Sequence, residues 1–149
     1  ARVVKLYQME DIVILHPFVP REDALMRQRE SQILLLLNWD HPEETGVYTG
    51  KVFEYLSAQR PILAIGGPKG VVAELLEETG AGVHVSNYEE LKHVLAQLYD
   101  KYKAYGQVPY QGIKERIARY SHREMARKFA ALLDSVIEEK LTSLTIGDL

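Results

Sequence analysis

Ile33, Leu34, Leu35, Leu36 and Leu37 follow one another without a polar break, and that run constrains the fold more than any other feature. A strand with one wet face alternates apolar and polar residues. A strand apolar at every position needs cover on both faces, as in a parallel sheet between layers of helices. Residues 33–37 are therefore expected to be a central strand. Parallel neighbours then require long crossovers, usually helical.

The flanking sequence supplies such units. Residues 11–15 are a short β-branched run that stops at His16 and Pro17, where proline cannot continue a ladder, and they read as a buried strand. Pro20 with Glu22 and Asp23 opens a helix expected to end near Glu30. After a polar loop over residues 38–50, Val52, Phe53, Leu56 and Ala58 recur at helical spacing through residues 51–59, and residues 61–65 form the next strand. Gly66, Gly67 and Gly70 turn the chain into a helix over residues 71–79, and residues 83–85 make a last short strand. Helical patterns follow over residues 88–105 and 121–140, with Ser121 and Glu124 spaced as a capping box.

This alternation predicts an α/β fold: a Rossmann-like doubly wound parallel sheet with two appended C-terminal helices. Residues 1–141 are expected to form that one domain, and residues 142–149 a frayed tail. The chain opens on Ala1, and residues 2–8 read as the remnant of an element. A trimmed piece lacking its first strand–helix unit is expected.

Composition narrows the function. A chain of 149 residues, 46% hydrophobic, holds one core. Its net charge of −3 gives no bulk attraction to nucleic acid, so an anionic ligand must be captured locally. With no cysteine, thiolate chemistry and disulfides are excluded. No apolar run reaches the ~20 residues of a membrane span, and no signal-peptide pattern opens the chain, so a cytoplasmic location is expected. The five histidines include no pair at helical ligand spacing, and no metal site is expected; Asp40, Glu43 and Glu44 offer only a weak magnesium-type cluster.

Ligands of open parallel sheets sit beyond the carboxyl ends of the strands, which directs attention to residues 49–56, Thr-Gly-Lys-Val-Phe-Glu-Tyr-Leu. Thr49 is placed to cap a helix, and Gly50 lets a ligand approach the backbone. Lys51 in the first turn opposes the macrodipole unless an anion binds both; otherwise it simply points to solvent. Glu54, one turn on, is placed either to accept hydrogen bonds from vicinal hydroxyls or to be an exposed helix charge. A nucleotide-binding P-loop does not fit, because Gly46 to Lys51 is one residue short and Val52 replaces the magnesium-binding hydroxyl. Trp39 is expected to cover the sheet edge, with stacking on a base or sugar as the alternative, and residues 66–70 to be either a tight turn or a contact to the donor sugar or diphosphate.

The run from Thr49 through Arg60, Pro61 and Ile65 to Gly66 resembles the C-terminal nucleotide-sugar-binding domain of group 1 (family 4-like) glycosyltransferases, which have the GT-B fold. Residues 12–20, 33–37 and 121 onward resemble further elements of that domain. The resemblance implies that Glu54 binds the donor ribose, that backbone amides at the helix start around Gly50 meet the diphosphate with Lys51 and Thr49 assisting, and that the loop of His16, Phe18 and Val19 contacts the base through its backbone. It implies no cofactor beyond the nucleoside diphosphate sugar that serves as donor. The family's first donor-site glutamate would fall at Gly46; Glu44, with Glu43 beside it, is the candidate to replace it as catalytic carboxylate.

In such an enzyme the partners are the nucleotide sugar and an N-terminal acceptor domain that carries the general base. The fragment alone is then inactive, and peripheral membrane association belongs only to a full-length enzyme. Two other readings are a nucleotide-sugar epimerase of the same architecture and a non-catalytic Rossmann-like module that binds a protein.

Overall fold

The computed structural model describes residues 2–39, 41, 43 and 45–146, with side chains as far as residue 138. In chain order the elements are α1 (Arg2–Leu6), α2 (Arg21–Glu30), β1 (Leu34–Leu37), α3 (Gly50–Ala58), β2 (Ile62–Ile65), α4 (Val71–Thr79), β3 (Gly82–Val85), α5 (Tyr88–Tyr105), α6 (Lys114–Ala118) and α7 (His122–Ile146). The three strands form one open parallel sheet in the order β1-β2-β3. Leu36 lies opposite Ala64 and Ala64 opposite His84, so residues of one parity share a face.

That face holds the core. Leu36, Ile62 and Ala64 pack with Val52 and Leu56 of α3 and with Val72, Leu75 and Leu76 of α4, all buried. Both crossover helices therefore lie on the same side, and each fully buried leucine there contributes about 1.5–3 kcal/mol relative to exposure. On the other side Val94 and Leu98 of α5 border a cavity with Ile33 and Val83. α5 starts from a reciprocal cap: Asn87 Oδ1 accepts from the Glu90 amide at 2.9 Å, and the Glu90 carboxylate accepts from the Ser86 amide at 2.9 Å. The Ser86 hydrogen bond holds the Glu90 carboxyl below its ordinary range.

The expected α/β architecture with a parallel sheet is present, but two expectations are corrected. Residues 11–15 form no strand, and Ile12, Ile14 and Leu15 are 75%, 75% and 61% exposed. The apolar run is there, but among the described residues no strand lies beside it to complete its hydrogen bonds. The 33–37 run is not covered on both faces either: Leu34 and Leu36 are buried, while Leu35 and Leu37 are 51% and 68% exposed. β1 ends the sheet, so continuous apolarity does not mark a central strand here.

Smaller differences concern the C-terminal region. α6 is an additional short helix, and α7 continues to Ile146. Of the capping box at Ser121, only one half forms. Ser121 Oγ accepts from the Glu124 amide at 3.2 Å, but the Glu124 carboxylate turns to Arg127 instead.

Candidate functional site at the carboxyl edge of the sheet

Parallel strands send their following loops to one edge, and there the loops after β1 and β2 are tied together. Asn38, just past β1, donates its amide to the Ile65 carbonyl at 2.8 Å. Gly66 and Gly67 have φ of +97° and +67°, a left-handed turn that side-chain-bearing residues adopt only at a cost. Further on, the Thr45 carbonyl accepts from the Val71 amide at 2.9 Å. Gly70 leaves no room for a Cβ beside that carbonyl. The β1–α3 loop is thus laid directly on the first turn of α4.

Between them lies a cavity of about 120 Å³ lined by Asn38, Trp39, Thr45, Val47, Thr49, Pro68, Gly70 and Val72. Thr49 is the N-cap residue of α3 and Gly70 that of α4. Two helix N-termini therefore converge on one cavity, each with first-turn amides that no intrahelical carbonyl can satisfy. The Thr49 side chain does not cap its own helix, and its Oγ1 is buried without a hydrogen-bond partner. The lining residues carry no charge, so amide dipoles and hydroxyls dominate the field there.

Lys51 sits in the first turn of α3, exposed, and makes no ion pair among the described residues. One turn on, Glu54 Oε1 lies 3.5 Å from Arg21 Nη2, with side chains 39% and 77% exposed. Arg21 is the first residue of α2, whose other end is held by Arg60 Nε donating to the Arg29 carbonyl. The Tyr48 ring meets Phe53 edge-on at 5.6 Å, and burial, then Glu74 and Glu78, push its phenol up. From β3, buried His84 braces the β2 turn: its Nε2 lies 3.0 Å from the Gly66 carbonyl, while Nδ1 has no partner. A carbonyl only accepts, so Nε2 is the donor in that contact.

Of the residues singled out in the sequence, Thr49 lines the cavity and Gly50 and Lys51 follow it. Glu54 is one turn away, engaged with Arg21. His16, Phe18 and Val19 lie on the extended segment leading into α2, with Phe18 99% exposed. Glu44 lies outside the described residues. Trp39 does not cover the sheet edge as expected; it is 70% exposed and lines the cavity. Gly70 belongs to the 66–70 turn singled out in the sequence, whereas Arg21, Asn38 and Thr45 are contributions that sequence reasoning missed. A larger hollow, about 390 Å³, is bounded by Gln32, Ile33, Leu95, Leu98, Tyr99, Tyr102 and Val108. It is almost wholly apolar and offers an anion nothing.

Among the described residues, no group of three or more histidine, aspartate or glutamate side chains could hold a metal ion. Among them, too, no helix is long and apolar enough to cross a membrane. No protein-family model, no curated protein and no solved structure matches this chain.

Proposed function

We propose that this chain binds a phosphate-bearing nucleotide at the carboxyl edge of its sheet. Within that class, we assign it as the donor nucleotide-sugar-binding domain of a GT-B glycosyltransferase working in the cytoplasm. The observation that carries this reading is the convergence of the Thr49 and Gly70 helix caps on one cavity, with the unpartnered Thr49 hydroxyl buried beside it and Glu54 one turn away. The resemblance of residues 49–66 to the group 1 family points the same way.

In this reading a phosphate of the donor occupies the cavity, held by first-turn amides of α3 and α4 other than those of Val52 and Val71, by Thr49 Oγ1 and by the Lys51 ammonium. Glu54 exchanges Arg21 for the ribose hydroxyls, and the backbone at His16, Phe18 and Val19 meets the base. When the bond between the anomeric carbon and the diphosphate oxygen breaks, negative charge builds on the departing diphosphate. Fixed donors stabilise that charge without reorganising. The acceptor molecule, whose hydroxyl attacks the anomeric carbon, is bound by the N-terminal acceptor domain of the enzyme, which also supplies the base that takes the proton, and Glu44 is the candidate carboxylate at the donor sugar.

Calorimetric titration with uridine and guanosine diphosphates tests this directly. Saturable binding that weakens in both Lys51→Ala and Glu54→Ala, each folded by circular dichroism, supports the donor site. If neither this chain nor the full-length enzyme binds either nucleotide, the reading is wrong and a protein-binding module takes its place. Nucleotide binding without release of free diphosphate nucleotide during turnover of the full-length enzyme would instead identify an epimerase.

A further inference from the structure

The two edges of the sheet are not alike. The Leu34 and Asn38 amides donate to the Pro61 and Ile65 carbonyls, so Leu35 and Leu37 turn their main chain outward, and there the Tyr55 hydroxyl donates to the Leu35 carbonyl at 3.3 Å. At the other edge the Ala81 and Val85 carbonyls accept from the Ile62 and Gly66 amides at 3.0 and 3.1 Å. Main-chain direction alternates along a strand, so Gly82 and His84 aim both amide and carbonyl away from β2. Among the described residues, neither a further strand nor a side-chain hydrogen bond closes that edge.

This edge borders a hollow of about 280 Å³, walled by Gly82, Val83 and His84 on one side and by Ala73 and Glu77 of α4 on the other, with Lys69 beside it. The two charges stand at opposite ends. Lys69 precedes the N-cap of α4 at the carboxyl edge of the sheet, whereas Glu77 lies in the last turn of α4, toward the amino edge. Both are exposed, and neither is in a salt bridge among the described residues.

We propose that β3 pairs antiparallel with β3 of a second copy of this chain, about a two-fold axis at Val83, so that one sheet runs through the dimer. A free strand edge is a template for pairing, and a two-fold contact needs a patch complementary to itself. With Val83, 37% exposed, opposite its counterpart, Gly82 of each copy faces His84 of the other, and each such pair exchanges two N–H···O bonds. A shift of one residue would set these outward groups against groups already bonded to β2. The same two-fold exchanges the ends of the hollow and brings Lys69 of each copy beside Glu77 of the other. Parallel pairing of the same edges would set Lys69 level with Lys69 and Glu77 level with Glu77, like charge on like. The nucleotide cavity, between the loops after β1 and β2, stays open, and the pairing does not depend on what that cavity binds.

Sedimentation equilibrium of the 149-residue chain should give twice its 17.0 kDa mass. Lys69→Glu and Glu77→Lys, each with unchanged circular dichroism, should each raise the dimer dissociation constant about tenfold by facing like charges across the axis. An equimolar mixture of the two variants should regain the wild-type constant, because every altered charge then meets its opposite. Amide exchange at Gly82 and His84 should slow as protein concentration rises, while Val83 and Val85, bonded to β2, are protected throughout. A monomer at every concentration overturns the proposal. So does a dimer that both charge reversals leave intact, a mixture no tighter than its components, or a dimer whose Gly82 and His84 amides exchange as fast as in the monomer.

Discussion

Arg21 Nη2 and Glu54 Oε1 meet at 3.5 Å, joining the first turn of α2 to the middle of α3 across the edge of the candidate site. Such an exposed pair contributes about 0–1 kcal/mol. Arg21→Ala should therefore leave the urea midpoint nearly unchanged. If Glu54 binds ribose, Glu54→Ala should weaken uridine or guanosine diphosphate binding roughly tenfold, the ~1.4 kcal/mol of a charge-assisted hydrogen bond, and Arg21→Ala clearly less. Equal losses would show that the pair acts as a structural tie and not as a ligand site.

Thr49→Val separates binding from folding. The Thr49 hydroxyl is buried with no partner, so an isosteric methyl costs no hydrogen bond, and stability should hold or rise by up to about 1 kcal/mol. Diphosphate affinity should nevertheless fall. A stability loss above about 1 kcal/mol in chemical denaturation would show that the hydroxyl supports the fold.

Gly70→Ala tests how the β1–α3 loop is seated. Gly70 has an extended backbone at φ −152°, so the penalty is purely steric: the new Cβ overlaps the Thr45 carbonyl. Displacing that carbonyl also frees the Val71 amide it accepts from. A loss of about 1–3 kcal/mol is expected, together with faster amide exchange at Val71.

The clamp at the far end of α4 has a pH signature. The Glu78 carboxylate accepts the Tyr120 hydroxyl and is the main reason, ahead of burial, that the phenol is pushed up to about 12. A raised folded-state pKa favours the protonated form. The contribution is therefore complete below the unfolded value near 10 and is lost as pH rises through about 12. Tyr120→Phe should be less stable than wild type at pH 9, with the gap closing toward pH 12. A constant gap in urea midpoints across that range would contradict it.

Most of the fold was legible in the sequence because helix and strand periods report directly on local geometry. α4 and α5 fall where the patterns place them, at Val71–Thr79 and Tyr88–Tyr105. What failed was neighbourhood. The run at residues 11–15 has the composition of a strand, and five consecutive apolar residues at 33–37 suggest cover on two sides, but neither pattern says whether a partner lies alongside. The site divides in the same way. Thr49 and Gly50 announce themselves through local capping chemistry and Gly70 through the glycine turn after β2, whereas Arg21, Asn38 and Thr45 reach it only through the path of the folded chain, which no spacing rule encodes.

α4 is therefore a strut with a different duty at each end: Gly70 seats the loop over the cavity, and Glu78 accepts from Tyr120 and Arg119 and, through its backbone carbonyl, from Arg116. The buried middle of the helix, Leu75 and Leu76, stands between the two. Substitutions that retune what the loop grips need not loosen what anchors the C-terminal helices, and the reverse holds as well. If the cavity holds the proposed phosphate, rewriting the loop around Thr45 should change which ligand binds while the scaffold anchored at Glu78 stays fixed.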